Sequence, residues 1–481
     1  MYDFPLILNG NPVTTNNPLE IKSPFDGRVI GKTCKATSKE IELAIASAQQ
    51  GFIETHRMPM YERAVKLTRV AAALHDQREE FARILSAEAG KPIKYARIET
   101  DRAVLTFTDA AEECKRLRGK YLPLDYEPGS RGRWGIVRRF PLGIILGISP
   151  FNFPLNLVAH KVAPALSSGN CIIIKPASQT PLSALRLAQE IIKTEWPAGA
   201  IQVLPMDSND AHLLIEDERI KMLTFTGSPV VGWALKNKAG HKRVTLELGG
   251  NAGVIIHHDA DLEYAAARCA SGGFAQAGQS CISVQRVYIH DTIYDKFLNL
   301  FLKKVQDLKT GNPDDEDVDV GPMIHLSEVD RVRQWLQEAL AKKAKILTGG
   351  KIEGTLFYPT VVAEVDPKLR LSCQEVFAPL VVVYRYHDSD LVLEQVNDSD
   401  YGLQAGLFTN DARFIFKAYE KLEVGGLIVG DVPTYRIDPM PYGGTKLSGL
   451  GREGVRYAIE EMTEMKLLVM NIIEGTKEQR S

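Results

Sequence analysis

Nowhere does the chain hold about 18 consecutive apolar residues, so no segment reads as a membrane-spanning helix. Blocks of like charge are also missing. Its 58 Lys and Arg stand against 60 Asp and Glu for a formal charge of -2, which argues against a nucleic-acid arm or a polybasic membrane patch. A small-molecule ligand or a protein partner is expected instead. The six cysteines (Cys34, Cys114, Cys171, Cys269, Cys281, Cys373) form no C-x-x-C pair, which disfavours a zinc site and a disulfide framework, and no metal is expected. The first ten residues lack a basic leader and a small-residue cleavage site, so the expectation is a soluble, unexported, cytoplasmic protein with reduced thiols. Five cysteines then read as packing residues and one requires a chemical account. Internal repeats and low-complexity tracts are absent too.

What is present is enough chain for more than one core. At 481 residues, a prior of about 150 residues per domain suggests two or three. Asn9-Gly10 between apolar residues predicts an opening hairpin, because both residues tolerate positive φ. Residues 39–113 show helical periodicity, with alanine-rich stretches at 41–48 and 64–74. From Gly143, short β-rich runs (144–148, 171–175, 201–204, 222–225) alternate with amphipathic helices near 155–166 and 182–194, the pattern of parallel strands with crossover helices. The expected fold is α/β, with a doubly wound nucleotide-binding domain. A second series of strand-like runs, at 253–256, 287–289, 358–362, 380–384 and 427–429, predicts a second α/β domain. Residues 119–140 and the apolar run 466–473 fit neither, and suggest a protruding β element that pairs with another subunit.

Chemistry concentrates in two places. Cys281 closes Gly278-Gln279-Ser280-Cys281, and Glu247 opens Glu247-Leu248-Gly249-Gly250. A lone cysteine is more often a small buried hydrophobe, and a lone glutamate a surface charge. Together they offer a nucleophile and a proton acceptor, most of what covalent oxidation of an aldehyde requires. A thiolate adding to an aldehyde generates an oxyanion that needs fixed donors, and Asn152, just after the run 144–148, is a candidate. Ligands of open α/β sheets bind outside the carboxyl ends of strands, where Asn152 and Glu247 both fall.

Seven motifs in order resemble those of the NAD(P)-dependent aldehyde dehydrogenases: Pro150-Phe151-Asn152-Phe153-Pro154, Lys175-Pro176-Ala177-Ser178, Phe225-Thr226-Gly227-Ser228, Glu247-Leu248-Gly249-Gly250, Gly278-Gln279-Ser280-Cys281, Glu375-Val376-Phe377 and Pro441-Tyr442-Gly443-Gly444. The resemblance covers essentially the whole chain. It implies Cys281 as nucleophile, Glu247 as general base for deacylation, and Asn152 with the Cys281 amide as oxyanion hole. For NADP or NAD it implies Ser149, Lys175, Ser178, Phe225, Gly227, Ser228 and Leu248, with Glu375 and Phe377 on the nicotinamide half. It also implies a cofactor domain from residues 1–118 and 141–246, a catalytic domain from 247–440, an oligomerisation arm from 119–140 and 466–481, a return to the cofactor domain over 441–465, and a homodimer or homotetramer.

Two departures carry information. Many NAD-preferring relatives have a glutamate at Ser178, and its loss removes a repulsion against a 2′-phosphate, so NADP should be accepted. Pro205-Met206-Asp207-Ser208 replaces a glycine-rich turn of the adenine pocket. By the same resemblance the substrate tunnel is lined by Arg102, Asn156, His160 and Arg436, with Ser280 beside the nucleophile. Arginines bind carboxylate or phosphate in a fork geometry, so a small polar or anionic aldehyde is expected: lactaldehyde, glycolaldehyde or a semialdehyde. The nearest branch is that of lactaldehyde and non-phosphorylating glyceraldehyde-3-phosphate dehydrogenases. Phosphate- and phosphonate-handling relatives often carry arginine where this chain has Ser280, which makes glyceraldehyde 3-phosphate and phosphonoacetaldehyde secondary alternatives. Glu247 speaks against a CoA-acylating relative.

Overall fold

A computed structural model describes residues 1–471. Two parallel-rich sheets dominate. The first runs in the order Gly449–Leu450, Arg243–Glu247, Ile220–Thr226, Ile144–Ile148, Cys171–Lys175, Ile201–Val203, Leu6–Leu8, Asn11–Val13. Its five inner strands are parallel, and the opening hairpin and the Gly449–Leu450 strand add antiparallel edges. The hairpin turns on Asn9 and Gly10, both at positive φ, as that dipeptide predicts.

Period-2 alternation explains why the inner strands read as unbroken apolar runs. Ile145, Ile172 and Ile174 enter the core on one face, whereas Ile144, Leu146, Ile148 and Ile173 enter the core on the other. Helices cover both faces, Ile93–Arg116 and Asn156–Ser168 on the first and Ser38–Thr55 on the second.

The second sheet has the order Lys345–Thr348, Thr360–Ala363, Leu380–Tyr386, Val284–His290, Ala252–Ile256, Gln404–Phe408, Gly426–Val429, parallel throughout except at its first pair. It too is buried on both faces, with Val254 and Ile256 on one side and Ile255 on the other. The chain then returns to the first sheet, where Val455 and Ile459 of the helix Val455–Glu461 join its core.

A separate three-stranded sheet is built from Lys120–Pro123, Arg133–Pro141 and Thr463–Asn471, all antiparallel. The terminal strand starts at Thr463, ahead of the apolar run, because it pairs along the full length of Arg133–Pro141. Residues 472–481 of the expected arm lie outside the described residues.

Candidate active site

The first sheet's strands end, and several of the second sheet's begin, at one cavity of about 830 Å³. Asn152 follows Ile144–Ile148, Gly227 and Ser228 follow Ile220–Thr226, and Glu247 is the last residue of Arg243–Glu247. From the other side, Cys281 precedes Val284–His290, and Glu375 and Phe377 precede Leu380–Tyr386. All of these line the cavity, together with Leu248, Ser280, Asn156, Arg102 and Arg436.

Local backbone strain presents the cysteine. Gln276, Ala277 and Gly278 all have left-handed φ (55°, 53° and 66°), a conformation that costs the two non-glycine residues energy and turns the chain sharply before Cys281. Surrounding contacts hold the turn: the Gln279 carboxamide oxygen accepts from the Ile324 N–H at 3.0 Å, and a Cβ on Gly278 would sit 2.1 Å from the Ala378 carbonyl. Gly249 and Gly250 permit similar approaches. A Cβ would lie 2.5 Å from a Glu375 carboxylate oxygen at the first and 2.1 Å from the Cys281 carbonyl at the second.

Cys281 keeps part of its surface open to the cavity, whose walls nonetheless desolvate the sulfur. Burial pushes the thiol up to about 12, helped by Glu375 and Glu247 and opposed by Tyr442 and Arg436. The Tyr442 hydroxyl lies 3.1 Å from Sγ. The Asn152 amide donates one hydrogen to the Gln279 carbonyl at 2.9 Å, which aims the group at the cysteine loop and leaves its second hydrogen for a ligand. Asn152 is also buried, with its own oxygen unpartnered.

Glu247 is buried, and neither carboxylate oxygen has a hydrogen-bond partner among the described residues. Burial, then the charge of Glu453, raises it well above the ordinary carboxyl range, against Arg436, Lys161 and Arg452. Glu453 goes the other way. Despite burial it is held at about 2, because Lys161 bonds one oxygen at 3.0 Å and Arg436 the other at 3.2 Å. Two carboxyls in one interior with opposite shifts divide into a fixed charge and a proton acceptor.

The expected tunnel residues separate into wall and support. Arg102, Asn156, Ser280 and Arg436 line the cavity, whereas His160 does not. Its Nε2 lies 3.3 Å from Asp438, to which Thr106 also bonds, and Arg102 stands 3.8 Å from the same carboxylate. Burial and the Arg436 charge hold His160 below its ordinary value. One Arg102 nitrogen and the Arg436 Nε are buried without a hydrogen-bond partner. Sequence reasoning assigned no role to Tyr442, Asp438, Glu453 or Lys161, although Tyr442 stood inside a quoted motif.

The cofactor side can be tested on fit. Ser228 caps the helix Pro229–Lys238 by accepting from the Val231 N–H at 3.4 Å, its carbonyl takes the Gly232 N–H, and Pro229 brings no N–H of its own, so the Val230 amide is the one left open in the first turn. Gly227 and Gly232 leave clefts that a Cβ would close, at 2.6 Å from Phe225 and 2.4 Å from Leu248. Lys175 is buried at its strand end, and burial lowers its affinity for a proton while Asp207 raises it. Lys35 pairs with Asp207 at 2.6 Å, which offsets the carboxylate that Pro205-Met206-Asp207-Ser208 brings here. Glu375 accepts from the Gly250 amide at 2.9 Å and is raised by burial to about 7, and Phe377 meets Phe151 edge to face. Ser149, Lys175, Ser178 and Phe225 lie off the cavity wall, Ser178 half-buried. The clefts at Gly227 and Gly232, the buried Lys175 and the Glu375 carboxyl fit a dinucleotide. Among the described residues, the group of metal-ligating type close enough to hold an ion is His257, His258 and Asp259, at the opposite end of Ala252–Ile256.

Fold and cavity together define an α/β protein that gathers a cysteine, an asparagine and a buried glutamate at a cavity whose far wall fits a dinucleotide. Residues 12–468 match the profile of the aldehyde dehydrogenase family. The 3-sulfolactaldehyde dehydrogenase of Priestia aryabhattai is 45% identical over 470 residues, covering 98% of each chain. Among solved structures, aldehyde dehydrogenase 21 of Physcomitrella patens in complex with the reaction product succinate superposes with a TM-score of 0.97 at 44% identity, over 98% of this chain and 99% of that one. The NADP complex of glyceraldehyde-3-phosphate dehydrogenase from Methanocaldococcus jannaschii gives 0.91 at 38% identity, over 95% and 100%. The chain belongs to the aldehyde dehydrogenase family and is an NAD(P)-dependent oxidoreductase. No helix among the described residues is long and apolar enough to cross a membrane.

Proposed function

We propose that the protein oxidises a short aldehyde bearing a terminal anion, a carboxylate or sulfonate, to the corresponding acid, and that NADP is accepted beside NAD. The observation that carries the reading is the pair Arg102 and Arg436 on the wall of the Cys281 cavity, each with a buried nitrogen that makes no hydrogen bond, although the Arg102 nitrogen stands 3.8 Å from Asp438. Such donors cost free energy until an acceptor meets them, so the cavity favours an anion over a neutral group of the same size. Two relatives point the same way, one named for 3-sulfolactaldehyde and one bound to succinate.

In this reading the Cys281 thiolate adds to the aldehyde carbon. A C–S bond forms, and the carbonyl π electrons move to oxygen, which takes hydrogen bonds from the Asn152 side chain and the Cys281 amide. The nicotinamide cofactor supplies the two-electron acceptor for the hydride on that carbon. Glu247 then removes a proton from the water that attacks the Cys281 thioester, and the acid leaves as the C–S bond breaks. Glu247 suits this work because its proton affinity is raised and its oxygens are uncommitted. Ser178, with no carboxylate of its own, leaves room for a 2′-phosphate.

The test is kcat/KM for 3-sulfolactaldehyde, succinate semialdehyde, lactaldehyde and glyceraldehyde 3-phosphate with both cofactors, in wild type and Arg102→Gln. The anionic substrates should exceed lactaldehyde by roughly 10-fold or more, the loss expected when a buried charged donor goes unmet. Arg102→Gln should remove most of that difference. Equal values for charged and neutral aldehydes in the wild type would overturn the anionic assignment, and turnover strictly with NAD would overturn the cofactor assignment.

A further inference from the structure

Tyr442 is the side chain that reaches the nucleophilic sulfur, and it is fixed from three directions. Its amide donates to the Glu453 carbonyl at 3.0 Å, and its carbonyl accepts from the Glu453 amide at 2.6 Å. Its ring carries the Arg436 guanidinium 3.6 Å from the centroid, and Arg436 is held in turn by the Glu453 carboxylate. The ring packs with Ile282 and Leu403, and Cys281 lies against this cluster. The hydroxyl therefore arrives 3.1 Å from Sγ on a support that leaves it little freedom.

We propose that Tyr442 is a catalytic residue whose hydroxyl donates a hydrogen bond to the Cys281 thiolate, with Arg436 holding the ring in place and adding positive charge to the same face. The inference rests on Cys281 being the nucleophile, and not on the identity of the aldehyde. Between a thiol and a phenol, either group can donate; once the sulfur ionises, only the phenol can. Tyr442 keeps its proton, since burial first, and then the Cys281 and Glu247 charges, raise it well above the ordinary phenol range. No proton leaves Tyr442 during the reaction. The thiol proton passes to solvent water, reached through the cavity to which Cys281 is partly open; the sulfur retains its electron pair, and the O–H···S bond stabilises that pair until the C–S bond forms. This supplies what burial withholds, because the cavity otherwise strongly favours the neutral thiol. A cation stacked on the ring also makes the phenol a better donor.

The experiment follows alkylation of Cys281 by iodoacetamide against pH, read by mass spectrometry on the Cys281 peptide so that Cys373 does not contribute. It uses the full-length wild type and Tyr442→Phe. A hydrogen bond to a charged group shifts ionisation by about one to two pH units, so the midpoint in Tyr442→Phe should rise by that amount, read below the midpoint as Cys281 alkylation about 10- to 100-fold slower at any one pH. An unchanged midpoint in a folded Tyr442→Phe protein would leave Tyr442 as packing only and overturn the proposal. Should Tyr442→Phe not fold, 3-fluorotyrosine incorporated at 442 keeps the ring and strengthens the donor. The midpoint should then move to lower pH, and an upward move or none overturns the proposal. Turnover separates this from the reading above: Tyr442→Phe should lower kcat/KM for charged and neutral aldehydes by the same factor, whereas Arg102→Gln acts on charged ones alone. Full activity in Cys281→Ala would overturn the nucleophile assignment itself.

Discussion

Glu247 and Glu453 stand in one interior, yet one gains affinity for its proton and the other loses it. Lys161 and Arg436 account for the difference, since both cations bond Glu453 and neither bonds Glu247. The folded-state pKa of Glu247 is raised above its unfolded value, so the stability linked to this group is full below the unfolded pKa and is lost as pH rises through the folded one. Glu247→Gln should melt with wild type at pH 4 and above wild type at pH 8, while acyl-enzyme hydrolysis falls about 10²- to 10⁴-fold for want of a base. Thermal melts across pH, with turnover of an activated ester, measure both; a variant less stable than wild type at pH 8 would contradict the assignment of strain to this carboxyl. Glu247, Cys281 and Asn152 were legible as candidates because each lies close to glycine or proline, but their expected roles came from the ordered motifs, and the cavity is what brings the three together. Local sequence could not reach Lys161, Glu453 or Asp438, because Lys161 meets Glu453 across 292 residues and Asp438 meets Thr106 across 332. His160 shows a different limit. It lies four residues after Asn156, a spacing that puts both on one side of a helix, yet every residue of Asn156–Ser168 is buried, so spacing does not say which neighbour each side chain meets.

Elements owe their positions here to a few close approaches. The strand Arg243–Glu247 ends in one sheet and Ala252–Ile256 begins in the other, so 248–251 must cross between them while touching both the cysteine loop and Glu375. Glycine is required at Gly250 by proximity, since a methyl group would lie 2.1 Å from the Cys281 carbonyl. Gly250→Ala should therefore push the cysteine loop outward. We expect a stability loss of about 1–3 kcal/mol, the usual range for overpacking, and a kcat loss of roughly 10²-fold, as for a 1 Å misplacement of a reacting group. Urea unfolding and single-turnover kinetics check the two, and wild-type kcat in a folded Gly250→Ala protein would show that the contact does not set the position of Cys281. The alternation of strand and helix that predicted two α/β units is carried by the Ile- and Val-rich runs, which the sheets bury on both faces. What the sequence conceals is the left-handed run at Gln276 and Ala277 and the positive φ of Phe377. Side chains that ordinarily avoid this region give no local sign of it. Tertiary contacts impose it.

At the scale of the whole molecule, the terminal strand Thr463–Asn471 is the anomaly. It forms the outer edge of its three-stranded sheet, and Met465, Leu467, Leu468, Val469 and Met470 are exposed by 37% to 60%. An apolar strand with an open edge is an invitation to pairing, and monomeric proteins normally blunt such edges with charge or proline. Its only charged side chains are Glu464 and Lys466, near the start, so the stretch 467–470 is left unguarded. The occupant we expect is a second copy of this chain, giving a homodimer or homotetramer, because like subunits with closed symmetry are the commonest way such a surface is covered. Leu467→Glu with Val469→Glu places two charges on one face of the strand without touching its pairing with Arg133–Pro141. Light scattering after size exclusion should show wild type as a multimer and the double variant as a smaller species. Because the strand lies apart from the cavity, Cys281 alkylation should be unchanged in that species. Equal masses for the two proteins would remove this edge as the joint.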